Sequence, residues 1–403
     1  GMRDFFKKII VEILTLEARV LLWRFSPKIV AVTGSVGKTS TKDAVYTAIA
    51  SKYSARKSQK GYNSEIGVPL TILGLPNAWN NPFLWLLNIF VGFLKSIFVF
   101  SYPEYLVLEV GADRPGDIKK LMEWIRPDMV VVTRFPEIPV HVEFYKSPAE
   151  LIEEESYPAR RLKDGGHLIL NDDDERVLKL REEFRGKAVT YGLTPRADVS
   201  ARGEEIIYKK IDGPNSTGVE RVNREVPVGI RFAVVYKKNK WEFRLGGVLG
   251  IQHIYPTLAG VAAGVVLQIP FEKLSSAFQN HKSPLGRMRI IEGIKETTLI
   301  DDSYNSSPVA AEVALRTMQR VKAGRRIAVL GCMKELGQYS EGEHKRIGSV
   351  AAEVCNILIT VGFEARLIAE GALNSAMYEK NIYQFEDSRE AGKFLDKKVK
   401  VQA

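Results

Sequence analysis

Cysteine is almost absent from the 403 residues: Cys332 and Cys355 stand alone, with no C-x-x-C pair. That excludes a disulfide framework and a cysteine zinc site, and a reducing compartment fits best. Low-complexity tracts and internal repeats are also lacking, which argues against a largely disordered or solenoid chain. Nothing near Met2 resembles a cleavable signal with a small-residue exit site, and Gly1 ahead of it reads as a tag remnant. The chain is therefore expected in the cytoplasm. Its 45% hydrophobic and 26% charged residues are the balance of a folded protein, and the length calls for two or three domains. A formal net charge of +10 suits nucleic acid, a membrane surface or small anions, and does not choose among them. The basic residues are scattered without a reader motif or stacking cluster, so nucleic acid is not an expected partner.

Phe5, Phe6, Ile9, Ile13, Leu16 and Val20 recur at roughly helical spacing with charged residues between them, so residues 5–25 read as an amphipathic helix ended by Pro27. Short apolar stretches follow at residues 29–32, 106–110, 129–133 and 167–170, separated by helical pattern. Runs of that kind are usual in strands buried on both faces of a parallel sheet. Charged, alternating segments at residues 226–235 and 241–245 predict antiparallel strands at a sheet edge. Helical pattern resumes at residues 255–268. A boundary is placed at residues 284–288, because a new series begins at Ile290 and runs through residues 298–300, 327–330 and 357–361. That series is predicted to form a second doubly wound unit.

The most informative segment is Val32-Thr33-Gly34-Ser35-Val36-Gly37-Lys38-Thr39-Ser40, which reads as strand, glycine-rich turn and helix start. Gly34 and Gly37 let backbone N–H groups approach phosphate oxygens, and the helix N-terminus favours an anion. Lys38 is placed to neutralise β/γ-phosphate charge and Thr39 to offer its hydroxyl to Mg²⁺. Val32 departs from the general G-x-x-x-x-G-K-[ST] spacing.

The loop resembles the ATP loop of the Mur ligases, particularly the branch that adds D-alanyl-D-alanine to a UDP-linked muramoyl tripeptide. Further blocks agree in order: Asn63-Ser64-Glu65-Ile66-Gly67-Val68-Pro69, Glu109-Val110-Gly111-Ala112, His141-Val142-Glu143, Asn171-Asp172-Asp173, Gly286-Arg287-Met288, Asp301-Asp302-Ser303-Tyr304-Asn305 and the stretch from Gly331 to Gly337. The resemblance implies an α/β fold: a central P-loop ATPase domain with a mostly parallel sheet over residues 28–284, then a C-terminal Rossmann-like domain over 285–403. It implies an amide ligase of peptidoglycan precursor synthesis that uses ATP and Mg²⁺. A muropeptide carboxylate would become an acyl phosphate, and the amine of D-Ala-D-Ala or a similar compound would displace the phosphate.

By the same resemblance Gly34, Ser35, Gly37, Lys38, Thr39 and Ser40 hold the nucleotide, with Arg287, Asp302, Tyr304 and Asn305 reaching it only on domain closure. Thr39, Glu109 and His141 are the implied metal ligands. The family carries a carbamylated lysine beyond the histidine block, and counting forward from Ser147 puts Glu155 there, with Glu154 as the substitute if the count slips. Asp301, Asp302 and Asn305 read equally as a solvated turn, and residues 153–155 as a solvated acidic face.

Departures limit what the resemblance carries. The loop begins only 33 residues in, so the family's N-terminal UDP-binding domain is expected to be missing and the acceptor is left open. Tyr255-Pro256-Thr257 stands near the family's adenine-contacting asparagine, and Cys332 where aspartate is common. The chain stops at Ala403 before an expected lysine-glycine-serine segment, through shortening or a difference of branch. Residues 83–100 are an apolar run, and Asn81, Asn88, Gly92 and Lys95 fall on one narrow polar stripe of a helix. That helix is expected either in a membrane interface beside residues 5–25, at the inner face of the membrane, or packed against its neighbours. Other readings are a folylpolyglutamate- or cyanophycin-type ligase and an ATP-binding, membrane-associated scaffold without ligase activity. The oligomeric state is not encoded in any motif.

Overall fold

The computed structural model describes residues 2–59, 61–112, 114–139, 141–184, 186–214, 221–293 and 297–398. Val140, the first residue of the histidine segment, and the last residues, 399–403, lie outside them. The apolar runs form strands, as their composition requires. In chain order these are β1 (Lys28–Thr33), β2 (Ala55–Lys57), β3 (Tyr105–Glu109), β4 (Met129–Val132), β5 (His167–Asn171), β6 (Lys187–Gly192), β7 (Val199–Pro214), β8 (Arg221–Tyr236) and β9 (Asn239–Gly246). They make one sheet in the order β2-β3-β1-β4-β5-β6-β7-β8-β9. Pairing is parallel from β2 to the start of β7 and antiparallel through β7, β8 and β9. The charged alternation of β8 and β9 thus belongs to the sheet edge.

Both faces of the parallel part are covered. The first helices are α1 (Met2–Phe25), α2 (Lys38–Ala50), α3 (Gly67–Leu73), α4 (Pro82–Phe98), α5 (Asp117–Trp124) and α6 (Pro148–Arg160). Val30 and Val32 of β1 pack into one core with α2 and the helix Ile254–Val266. Ile29 and Ala31, pointing the other way, pack into a second core with α1, α3 and α5. Alternate residues of one strand therefore bond two layers to the sheet. Local signals fix the helix starts: Ser147 accepts from the Glu150 amide with Pro148 in the first turn of α6, and Asn81 caps α4 ahead of Pro82.

One expectation is corrected. Residues 298–300 do not join a parallel sheet. The strands β10 (Arg289–Glu292) and β11 (Thr298–Asp301) pair antiparallel in a sheet of their own. Only residues 293–297 connect them, and a parallel crossover needs about a dozen. The parallel C-terminal sheet is β12 (Ile327–Gly331), β13 (Ile357–Val361) and β14 (Ile382–Phe385), with its own core around Ile347 and Leu358. On α4 the polar stripe faces the protein, as the packed alternative requires. Asn88, Gly92 and Ser96 are buried, and Lys95 Nζ donates to the carbonyls of Leu73 (3.1 Å) and Gly74 (2.9 Å). Free carbonyls at the end of α3 need donors more than water needs the lysine.

Where α4 crosses α1, Glu17 is 7% exposed and its Oε2 has no hydrogen-bond partner among the described residues. A Cβ on Gly92 would lie 2.1 Å from that oxygen, so only glycine admits the glutamate. Burial pushes the Glu17 carboxyl up from 4.5 to about 7. The folded state then holds a proton that the unfolded state releases above pH 4.5, so stability falls as pH rises from 4.5 to 7. Glu17→Gln is expected to match wild type in thermal melts near pH 4.5 and to exceed it above pH 7, by roughly 1–3 kcal/mol. A constant offset across that range would count against a buried ionisation.

Candidate active site

The strand order reverses at β1: β3 lies on one side and β4 on the other. At such a switch point the loops leave in opposite directions and open a crevice at the strand ends. The Thr33–Thr39 segment fills that crevice. Gly34 has φ of 122°, and a Cβ there would stand 2.1 Å from Thr133 Oγ1 at the end of β4, so the turn requires glycine. Gly37, with φ of 84°, precedes α2, and no side chain caps that helix. Its first N–H groups are left for an anion.

Lys38 curls back over the loop, its Nζ 2.5 Å from the Gly34 carbonyl and 3.3 Å from Glu155 Oε1. The Ser35 hydroxyl donates to the other oxygen of Glu155. Glu155 is 2% exposed, and its backbone carbonyl accepts from Thr33 Oγ1 at 2.7 Å. Its neighbours go elsewhere. Glu154 accepts from the amides of Gly116, Ile118 and Lys119 at the start of α5, and Glu153 pairs with Arg160 at the surface.

On the opposite side Thr39 Oγ1 donates to Glu109 Oε1 at 3.0 Å. Glu109 is 6% exposed, and its Oε2 has no hydrogen-bond partner among the described residues; the Lys42 ammonium is 3.9 Å away. A hydroxyl beside a buried, half-used carboxylate suits a hard cation. Asn63 comes in from the loop ahead of α3: a Cβ on Gly111 would lie 2.9 Å from its Nδ2 and 3.2 Å from Lys38 Cε.

A cavity of about 110 Å³ continues from Gly37, Ser40 and Thr41 past Asn171, Tyr191 and Gln252 to Arg287 and Asp302. The last two therefore already line the nucleotide-side cavity. Arg287 lies 4.4 Å over the Tyr304 ring, and its Nε has no hydrogen-bond partner among the described residues. Burial pushes the Asp302 carboxyl up to about 6, outweighing the Arg287 charge, and pulls the Arg287 guanidinium down. Each charge loses more water than the other replaces. His253, buried and pushed down to about 4, is neutral and holds the Arg287 carbonyl through Nε2.

Two more residues read from sequence have contacts of their own. Asn305 lies in an exposed turn and accepts from the Ser306 amide, outside the cavity lining. His141, with φ of 70°, sits 2.5 Å from Glu335 of the Gly331–Gly337 stretch. Among the described residues no three His, Cys, Asp or Glu side chains converge as a metal-ligating group. Thr133, Tyr191 and Gln252 escaped the sequence reading, because only tertiary packing brings them to the cavity.

The Mur ligase middle domain matches residues 32–263, and the Mur ligase glutamate ligase domain matches residues 286–401. The chain belongs to the Mur ligase family. Among curated Mur ligases, UDP-N-acetylmuramoyl-tripeptide--D-alanyl-D-alanine ligase of Bacillus subtilis (strain 168) is 26% identical over 362 residues, 88% of this chain and 67% of that protein. The enzyme of the same name from Synechocystis sp. is 25% identical over 81% of this chain and 60% of that protein. The chain thus spans about three-fifths to two-thirds of the length of these relatives. MurF from Acinetobacter baumannii superposes with a TM-score of 0.75 at 21% identity, covering 96% of this chain and 73% of that one. MurF ligase from Thermotoga maritima in complex with ADP gives 0.75 at 23%, covering 97% and 78%. These two likenesses concern the Mur ligase fold.

Proposed function

We propose that this chain is an ATP-dependent amide ligase of peptidoglycan precursor synthesis. It makes an acyl phosphate on a muropeptide carboxylate, which the amine of D-Ala-D-Ala or a related compound attacks. The observation that carries this reading is the pairing, across one loop, of a lysine with a half-used buried carboxylate. Lys38 covers the loop from one side, and Glu109 and Thr39 present oxygens from the other. Phosphoryl transfer needs little covalent work from side chains, and charge placed around the loop does most of it. Thr39 and Glu109 are the residues that fit Mg²⁺, which when bound supplies positive charge to the phosphates. Residues 28–284 act as the ATP-binding domain and residues 285–403 as the domain that completes the site with Arg287 and Asp302. His141 and Glu335 join the two.

Mass spectrometry of products from ATP, D-Ala-D-Ala and a panel of muropeptides tests the reading. A product carrying the mass of both reactants less water is expected. ATP-driven phosphate release that no amine or acceptor stimulates would point instead to a nucleotide-gated scaffold.

Gln252 gives a narrower prediction. Both of its amide atoms are buried without a partner among the described residues, at the wall of the cavity. A nucleobase edge offers the donor and acceptor that such an amide lacks. Gln252→Ala is expected to raise the ATP concentration for half-maximal phosphate release about ten-fold and to narrow the preference for ATP over GTP. Unchanged values for both nucleotides would remove Gln252 from base recognition.

A further inference from the structure

The least explained surface lies on α1 and α4. A solvent-facing helix carries its polar residues outward, and α4 does the reverse. Asn88 is buried and donates to the Pro76 carbonyl at 2.7 Å, Ser96 is buried, and Lys95 is tied to the end of α3. Phe83, Leu86, Leu87, Phe90, Phe93 and Ile97 lie outward, each 46 to 80% exposed. At about 100° per residue these six fall within an arc of roughly 120° that holds no donor or acceptor side chain. On α1, Ile9, Leu16 and Trp23 recur every seven residues and form one exposed stripe. Half-buried Ile13 and Val20 lie between that stripe and Glu17, which meets α4 at Gly92. α1 and α4 pack on each other, and each carries its apolar face outward. Nine large side chains, each about half exposed, present on the order of 1,000 Å², against roughly 300–600 Å² for the largest patch of an ordinary monomer.

We propose that α1 and α4 form a docking face that seats this chain on the surface of an anionic lipid bilayer. Charge and shape favour lipid over a protein partner. Protein interfaces of this size carry about one hydrogen bond per 100–200 Å², and the outward arc of α4 offers none. The tryptophans Trp23 and Trp79 are 80% and 78% exposed, and exposed tryptophan favours the headgroup boundary. Exposed Lys8 and Arg19 flank the α1 stripe, with Glu12 the only acid beside them on that helix face among the described side chains. Arg24 donates to the carbonyls of Ser96 and Val99 and so fixes a cation at the far end of α4. These cations, within a chain of net charge +10, suit anionic headgroups. Among the described residues no helix is long and apolar enough to cross a membrane, so the contact is interfacial. This inference does not depend on the ligase reading.

Flotation of the whole chain with vesicles tests it. Wild type is expected to float with phosphatidylcholine–phosphatidylglycerol vesicles at low salt, less so at high salt, and poorly with phosphatidylcholine alone. Leu87→Ser combined with Phe90→Ser changes two exposed side chains and is expected to weaken flotation about ten-fold while ATP-dependent phosphate release stays at the wild-type level. Absence of wild-type flotation with anionic vesicles overturns the proposal, as does equal flotation of the double variant. So does a wild-type dimer in solution that the double variant converts to monomer without any vesicle binding, since a second copy would then own the face.

Discussion

Lys38→Ala is expected to lower ATP turnover by about two to three orders of magnitude, or roughly 3–4 kcal/mol of transition-state stabilisation. The lysine is the cation that lies over the loop, 2.5 Å from the Gly34 carbonyl, and no other ammonium is hydrogen-bonded there among the described residues. Its side chain is 14% exposed, so it reaches a ligand without unpacking the core. The substitution also has a structural cost. Glu155 is 2% exposed and has Lys38 as its ion-pair partner, so removing the lysine leaves a buried carboxylate held by Ser35 alone. Lys38→Arg separates the two effects. It keeps a cation beside Glu155 and should melt close to wild type, yet a planar guanidinium does not fit a point-charge site and turnover should stay low. Phosphate release and thermal melts on the same samples check both. Wild-type turnover in folded Lys38→Ala would remove Lys38 from phosphate handling.

How much of this was legible in the sequence depended on whether the signal was local. The runs that became β1, β3, β4 and β5 are apolar because helices cover both faces, and composition alone gives them away. β2 was invisible, since Ala55–Lys57 is three residues long with two of them charged, and it is a strand only because β3 offers an edge. The stripe on α4 was readable from its period, but a period does not say which way a stripe faces. The loop at Thr33–Thr39 was legible because backbone conformation, helix start and lysine sit within seven residues. Gln252 was not, because nothing in its neighbourhood distinguishes it until packing buries both amide atoms. Residues 153–155 lie between these cases. Successive helix positions diverge by about 100°, so a count uncertain by one residue leads to three destinations. Only the packing of α6 on β1 sends Glu155 to the loop and Glu154 to α5, while Glu153 turns to Arg160 of its own helix.

Glu155→Gln is expected to raise the Mg²⁺ concentration for half-maximal phosphate release by about 10–100-fold, with activity of the wild type independent of added bicarbonate. We propose that Glu155 supplies, as a permanent carboxylate, the charge that a carbamylated lysine supplies elsewhere in the family. A glutamate is shorter than a carbamylated lysine, so the substitution works only where its helix sits close to the loop. α6 does so: the Glu155 carbonyl is hydrogen-bonded to Thr33 at the end of β1, which brings the backbone itself to the crevice. From there both carboxylate oxygens already touch the loop, one through Ser35 and one through Lys38. When Lys38 turns toward a phosphate, the charge it leaves behind sits 2% exposed next to the reacting groups, where a cation is its natural replacement. Glutamine keeps the volume and the Ser35 contact but removes that charge, so binding of the metal should weaken more than the fold does. Glu154→Gln provides the contrast. It caps α5 through three amides and should cost about 1 kcal/mol of stability with the Mg²⁺ titration unchanged. Bicarbonate stimulation of the wild type, or a Glu155→Gln titration that superposes on it, would show that the carboxylate has no part in holding the metal.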